Sequence, residues 1–356
     1  MINIEVRQTK TPREKPANEN LLGFGKLFTD HMLLIEYTEG TGWHDAKVEP
    51  YHHLSLDPAC SVFHYGQEVF EGLKCYRTGT GGFQLFRPRD NFIRLNRSAK
   101  RMGMPEIDVD LCMEALLALL SLDKEWTPRV ANSSLYIRPT MIAVDPFLGV
   151  SAAKSYLFYI ILSPSGAYYA SGFAPVCIYV EEQLVRAVRG GVGFTKTGGN
   201  YAASILAGVN AKERGCAQAL WLDGVEQRYI EEVGSMNIMF VYEGKRIVTP
   251  SLNGSILPGI TRDSVIKLAG ILGYEVEERR VAIDELLEDT QAGKLIEAFG
   301  TGTAAVVSPV NEIDYHGQRI QIGDGGVGKV TKELYVMLTE IQYGISADLM
   351  GWVMPI

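Results

Sequence analysis

Apolar and polar positions along this chain follow two periods in turn. Short runs crowded with apolar and β-branched residues at 32–37 (MLLIEY), 83–86 (FQLF), 134–138 (SLYIR) and 155–162 (SYLFYIIL) read as strands. Between them lie two stretches with the helical period. In RDNFIRLNRSAKRMGMP, Phe92, Leu95, Ala99 and Met102 recur at helical spacing, while Arg94, Arg97 and Arg101 fall on other faces; DLCMEALLALLSLDKEW at 110–126 is a second helix. After residue 162 the text becomes SPSGAYYASGFAP, a linker composition. Further strands follow at 176–181 (VCIYVE) and 218–222 (QALWL), then a hairpin, NIMFVYEGKRIVTP, turning at EGK. Helices are predicted over 202–214, 262–272 and 330–342, and the polar first twenty residues read as a loose arm. Strands and helices mix without a strict βαβ period, which predicts an α/β chain of the α+β type. Its 356 residues exceed the usual size of one core. Two domains are expected, 1–168 and 181–356, with 169–180 as the linker.

Composition narrows the function classes. A hydrophobic fraction of 46% and a charged fraction of 21% are those of an ordinary globular protein. The net charge of −8, with no block of lysines and arginines, argues against nucleic-acid binding. Cys60, Cys75, Cys112, Cys177 and Cys216 are odd in number and contain no CxxC, so reduced thiols are expected and no zinc site. The six histidines show no metal-ligand spacing, His52 and His53 being adjacent and structural. The N-terminal stretch carries Glu5, Glu14 and Glu19 and no apolar signal core, and the most apolar run, at 155–162, is too short to span a bilayer. A cytoplasmic protein without a membrane partner is the expectation.

Two motifs tempt and fail. GDGGVGKV at 323–330 approaches a phosphate-binding loop, but Val330 stands where a hydroxyl must hold Mg²⁺. GTGTAA at 300–305 matches a dinucleotide fingerprint, but VVSPV after it is not a helix start. As a glycine-threonine loop with exposed N–H groups it remains able to bind an anion.

Four other features point to one chemistry. GGVGFTKTGGNYAAS at 190–204 sets Lys196 among glycines, which let a ligand lie against the backbone. QRYIEEVGSMNIMF interrupts a strand with Glu231 and Glu232, which an extended backbone points to opposite faces, one to solvent and one inward. SILPGITRDSVIKLAG opens a helix after Pro-Gly, with Thr261 where an N-cap would sit, and so forms an anion site. The loop at 300–305 is the fourth. Lysine, carboxylate, helix N-terminus and loop together match the needs of pyridoxal 5′-phosphate: an amine for its aldehyde, a carboxylate for its ring nitrogen, and donors for its phosphate.

The sequence resembles the branched-chain amino acid aminotransferases, pyridoxal-phosphate enzymes of fold type IV. The resemblance runs in order through FGKLFTDHML (24–33), HYGQEVFEGLK (64–74), LFRPRDNFIRLNRSAKRM (85–102), SLYIRPT, FLGV, GAYY, KTGGNYAAS, EEVGSMN, LNGSILPGITRDS, FGTGTAA and EIQYG. It implies a two-domain fold like that of D-amino acid aminotransferase, with the cofactor between the domains at a homodimer interface. It implies reversible ping-pong transfer of the amino group between leucine, isoleucine or valine and 2-oxoglutarate. It makes Lys196 the catalytic Schiff-base lysine and Glu232, rather than Glu231, the partner of the ring nitrogen. Arg94, the backbone of Ile260 and Thr261, and Thr303 would hold the phosphate, and Tyr201 the ring hydroxyl. Phe24, Tyr65, Phe70, Tyr136 and Tyr168 match an apolar substrate wall, and Val150 matches a residue lent by the neighbouring subunit. Main-chain N–H groups of Thr303 and Ala304 would read the α-carboxylate. Arg138, on the same strand face as Tyr136, is the cation for the glutamate γ-carboxylate. A D-amino acid aminotransferase or an aminodeoxychorismate lyase would share Lys196 but lack FTDHML and EIQYG. The mammalian members carry a CxxC just after the Gly-Thr-Ala loop, where this chain reads Ala305-Val306-Val307-Ser308.

Overall fold

Along Ser134–Ala143 every side chain is buried except that of Arg138, which is half-buried. A strand covered on both faces belongs inside a sheet. In the computed structural model, which describes residues 2–166 and 173–356, it lies within a nine-stranded sheet. The strand order is Glu5–Val6, Gly42–Pro50, His31–Thr38, Ser155–Ser165, Ser134–Ala143, Leu73–Arg77, Phe83–Phe86 and Val353–Pro355, with Glu68–Phe70 also paired to Ser134–Ala143. The helices Pro88–Arg101 and Val109–Asp123 supply the core with it: Phe92, Leu95, Leu116 and Leu119 pack among Leu33, Leu73, Leu85, Ile137 and Phe158. Proline at the first helical position starts one helix. Asp108 caps the other by accepting the Asp110 N–H at 2.8 Å. Arg97 and Arg101 are exposed as the helical period predicts, but Arg94 is buried.

The predicted loose arm is instead tied down. Glu5–Val6 pairs in parallel with Gly42–Pro50. Thr9 N–H donates to His31 Nε2 at 2.9 Å, and His31 Nδ1 lies 2.7 Å from Asp123 Oδ1 in a buried pair. The Glu19 carboxylate accepts the Arg129 N–H at 2.7 Å. These anchors are hydrogen bonds to a polar segment and leave no hydrophobic period in the sequence.

The second sheet also has nine strands, in the order Ile230–Val233, Gln218–Leu222, Val176–Glu181, Val306–Tyr315, Leu295–Gly302, Met236–Tyr242, Arg246–Pro250 and Glu275–Arg279, with Gln318–Gln321 paired to Val306–Tyr315. Ile230–Val233 also pairs with Met236–Tyr242, so six of the strands close into a ring. Met236, Ile238, Phe240 and Tyr242 alternate into its core with Val180, Leu220, Ala298 and Val310. The other residues of that strand, Asn237 among them, face the opposite way.

The chain forms two compact units: Met1–Ala170 with Thr195–Gly198 and Ile341–Ile356, and Ser171–Phe194 with Gly199–Glu340. This differs from the expected division in three places. Val176–Glu181, predicted as a strand but mostly counted in the linker, is flanked in parallel by Gln218–Leu222 and Val306–Tyr315 inside the second sheet. The lysine segment groups with the first unit, as does the C-terminus, whose Val353–Pro355 pairs with Phe83–Phe86. Segments this short carry no period that announces their partners.

The expectation of five reduced thiols is corrected. Cys177 and Cys216 form a disulfide across 39 residues, with Cα atoms 4.6 Å apart. Parallel pairing of Gln218 with Ile178 brings the start of both strands together, and with it the two cysteines. Cys60, Cys75 and Cys112 are buried free thiols, burial pushing Cys75 up to about 11. Alkylation in denaturant without reductant is therefore expected to label three cysteines, and five after reduction. Five labelled thiols without reductant would remove the cross-link.

Candidate active site

The stretch that carries Lys196 is pinned residue by residue within the first unit. Lys196 N–H donates to Ser98 Oγ at 3.0 Å, and Lys196 O accepts the Phe70 N–H at 3.0 Å. Thr197 Oγ1 donates to Glu68 O at 2.8 Å, and Gly198 N–H donates to the Glu68 carboxylate. The side chain of Lys196 ends with Nζ 4.9 Å from the centre of the Phe70 ring. The Arg138 guanidinium lies 4.6 Å from the same centre. The two cations therefore stand no more than 9.5 Å apart, the sum of those separations.

Arg138 also donates from Nη2 to Tyr136 Oη at 3.1 Å, and Phe24 meets Tyr136 edge-on at 4.9 Å. Arg138 Nε is buried without a hydrogen-bond partner among the described residues. A buried donor in that condition is costly unless an acceptor arrives. Lys196, Phe70, Arg138, Tyr136 and Phe24 thus form one connected group. Tyr65 lies apart from it by its contacts, donating to Leu148 O, in the same loop as Val150, which is 86% exposed. Tyr168 lies outside the described residues.

Arg94 is held in a buried ion pair. Arg94 donates from Nε and Nη2 to the two Glu71 oxygens at 2.7 and 2.8 Å, with both residues buried. Such a fork uses two of the guanidinium's five donors and fixes its plane. Burial pushes the Glu68 carboxyl up, against the Gly198 N–H and the Arg138 charge, which pull it down. Lys74, buried and directly across from Tyr136 on the neighbouring strand, is brought down to about 8 by burial.

In the second unit, the expectation that one of two glutamates faces solvent is overturned. Glu231 and Glu232 are both buried. Glu231 accepts from Asn253 Nδ2 at 3.0 Å and from Ser255 Oγ, so the strand hides it under a polar loop. Glu232 Oε1 accepts the Leu257 N–H at 2.7 Å, and its Oε2 lies 3.3 Å from Arg186 Nε. Arg186 donates in turn to Gly193 O at 3.2 Å and to Ser255 O. Glu232, Asn237 and Thr301 are directly opposite one another on three adjacent strands, so their side chains share one face. Asn237 Nδ2 holds Leu257 O at 2.9 Å. A Cβ at Gly259 would overlap the Asn237 carboxamide, which is why the chain needs glycine as it enters the next helix.

That helix, Ile260–Ile271, begins two residues before its expected start at 262. Its N-cap is Gly259, in extended backbone and without a side-chain cap. Thr261 is thus in the first turn, and the backbone of Ile260 and Thr261 presents the positive end of the helix dipole. Thr303 and Ala304 are half-buried in the turn joining Leu295–Gly302 to Val306–Tyr315. Thr301 Oγ1 beside it is buried without a partner among the described residues. Tyr201 is half-buried in the short helix Gly198–Ala202.

The two motifs set aside are explained by their surroundings. GTGTAA joins antiparallel strands. In GDGGVGKV the helix that follows is capped from within: the Glu297 carboxylate accepts Val330 N–H at 3.0 Å and Thr331 N–H at 2.8 Å. A carboxylate of the protein takes the place a phosphate would need.

A family model described as amino-transferase class IV matches residues 68–313. This chain belongs to the class IV aminotransferases. It is 52% identical over 354 residues to branched-chain-amino-acid transaminase 1 of Bacillus subtilis (strain 168), covering 99% of both chains. It is 54% identical over 352 residues to a probable branched-chain-amino-acid aminotransferase of Staphylococcus aureus (strain MRSA252), covering 99% of this chain and 97% of the other. Among solved structures, the branched-chain amino acid aminotransferase of Escherichia coli is similar with a TM-score of 0.77 and 31% identity, over 91% of this chain and 98% of that one. The PLP form of the branched-chain amino acid aminotransferase from Thermobaculum terrenum is similar with a TM-score of 0.72 and 26% identity, over 91% and 97%. The aminotransferase fold expected from sequence, mixed α/β of fold type IV, is the one observed. Among the described residues no helix is long and apolar enough to cross a membrane.

Sequence reasoning missed Glu68, Glu71 and Ser98 in the first unit and Arg186 and Asn237 in the second. Glu71 had a usable signal, a carboxylate in the apolar surroundings of VFEGL, which needs a cation if buried. Arg186 is the converse case, a cation among the apolar residues of LVRAV.

Proposed function

We propose that this aminotransferase moves the amino group between leucine, isoleucine or valine and 2-oxoglutarate in two half-reactions, with pyridoxal 5′-phosphate held covalently by Lys196. The reading is carried by the Phe70 ring, which has the ε-amino group on it at 4.9 Å and an incompletely partnered guanidinium at 4.6 Å. The chain's own groups fit the cofactor: a lysine amine, a buried carboxylate at Glu232, and a helix start at Ile260 without a side-chain cap. When bound, pyridoxal phosphate supplies an aldehyde that condenses with amines and a ring that accepts electrons.

When it is not bonded to the cofactor, Lys196 Nζ would take the proton from the substrate Cα and return it. Glu232 would pair with the cofactor's ring nitrogen and favour its protonated form, while Arg186 offsets the cost of burying the Glu232 charge. The backbone of Ile260 and Thr261, Thr303 and Arg94 hold the phosphate, with Glu71 fixing the Arg94 plane. Tyr201 bonds the ring hydroxyl, and the main-chain N–H groups of Thr303 and Ala304 read the α-carboxylate. Phe24, Tyr65, Phe70 and Tyr136 wall the side-chain pocket, where burying a branched side chain contributes roughly 2 kcal/mol. A homodimer completes the pocket with Val150 of the second copy, and the enzyme works in the cytoplasm. The exposed Phe147, Leu148 and Val150 support that contact.

One pocket must take an apolar side chain and a γ-carboxylate. Arg138 is the group that does both, resting on Phe70 and Tyr136 for the first and offering its Nε–H for the second. Arg138→Met is expected to weaken the glutamate half-reaction by about 2–3 kcal/mol in kcat/KM and the leucine half-reaction much less. Single-turnover measurement of each half-reaction is the check. Equal losses would make Arg138 a support of the strand instead.

A further inference from the structure

Resting on the assignment of Lys196 above, we propose that Glu68 is a positioning residue for this reaction: its carboxylate, through the Gly198 amide, fixes the peptide that carries the lysine. Residues 196, 197 and 198 are each anchored, and Glu68 supplies two of those anchors, its carbonyl to Thr197 Oγ1 and its carboxylate to Gly198 N–H. A carboxylate accepting from a backbone N–H makes a charge-assisted bond, stronger than a neutral one. Glu68 belongs to Glu68–Phe70, the strand that also donates Phe70 N–H to Lys196 O and places the Phe70 ring under Lys196 Nζ. One three-residue strand therefore holds both the lysine's backbone and its amine.

Gly198 is shaped to the same contact. A Cβ built there would overlap Glu68 Oε1, the tip of a side chain, and its φ is not positive, so an added methyl would push the carboxylate off the Gly198 amide rather than strain the backbone. Burial disfavours the charged form of Glu68, so the carboxylate is held where only its hydrogen bond and a neighbouring cation favour it.

The clamp is tested on the amide and on the chemistry. In Glu68→Ala, hydrogen exchange at the Gly198 amide of the cofactor-free protein is expected to rise at least about tenfold. In the loaded enzyme kcat is expected to fall about 10- to 100-fold in both half-reactions with KM little changed, the cost of a lysine displaced by about 1 Å. Glu68→Gln keeps an acceptor and recovers most of both losses. Gly198→Ala should be damaging alone and nearly silent when added to Glu68→Ala, because the atom it strikes is gone. Native exchange at Gly198 in Glu68→Ala overturns the proposal, as does fast exchange with unchanged kcat, or Gln failing like Ala. If the unaltered protein transfers no amino group, the proposed function falls, and the exchange result still decides the clamp.

Discussion

Lys196→Ala is expected to lose covalent retention of pyridoxal phosphate and, with it, between about 100-fold and 10,000-fold of the turnover, the span that general acid–base catalysis commonly supplies. Borohydride reduction and peptide mapping check the first part. The unaltered protein should yield a pyridoxyl-modified peptide containing residue 196, and the variant none. The discriminating rival is Lys74. Burial brings it down to about 8, which raises its uncharged and therefore nucleophilic fraction near neutral pH. Position argues the other way, since Lys196 comes from a segment fixed on both sides by Ser98 and Phe70. A modified peptide containing residue 74, with turnover kept in Lys196→Ala, would transfer the role.

The second large effect belongs to Glu232. Glu232→Gln removes the charge that faces Arg186 and leaves a buried guanidinium with a neutral neighbour. Breaking a buried pair in this way costs about 3–5 kcal/mol of stability. A neutral amide also cannot stabilise a protonated ring nitrogen, so turnover should fall by roughly 100-fold, near 3 kcal/mol in the barrier. Glu231→Gln separates the two effects. Its carboxylate is also buried, accepting from Ser255 and Asn253, so the variant should melt at a lower temperature. Its turnover per folded molecule should stay near that of the unaltered enzyme. Similar kcat losses in both variants would deny Glu232 a distinct task.

The strands and helices that the sequence disclosed are those with an apolar face. MLLIEY, FQLF, VCIYVE and QALWL appear as strands, and Phe92, Leu95 and Ala99 form the buried stripe of their helix. What escaped was held by polar groups. The N-terminal arm is tied by His31 and Glu19 to backbone N–H groups, and a hydrogen bond of that kind imposes no period on the residues around it. The candidate site rests, in the sequence, on residues whose type is the chemistry: a lysine among glycines and a carboxylate inside a strand. It was illegible where one charged group exists to hold another. Arg94 was read as a phosphate ligand, but Glu71, which orients it, lies 23 positions earlier. The solvent-facing alternative for Glu231 failed because alternation along a strand says which residues share a face and not what covers each face.

The ring of six strands in the second unit has a consequence for how the protein is made. Val176–Glu181 takes one partner from Gln218–Leu222, soon after it in the chain, and the other from Val306–Tyr315. During synthesis that far edge stays bare until residues beyond 305 have been translated. The open edge is a template for any other extended segment nearby, including the same strand of a second nascent copy. Glu232, Asn237 and Thr301 are spread over three strands of this ring, so their common face does not exist before Leu295–Gly302 arrives. That shared face thus waits for one of the last long-range pairings of the second unit's own fold.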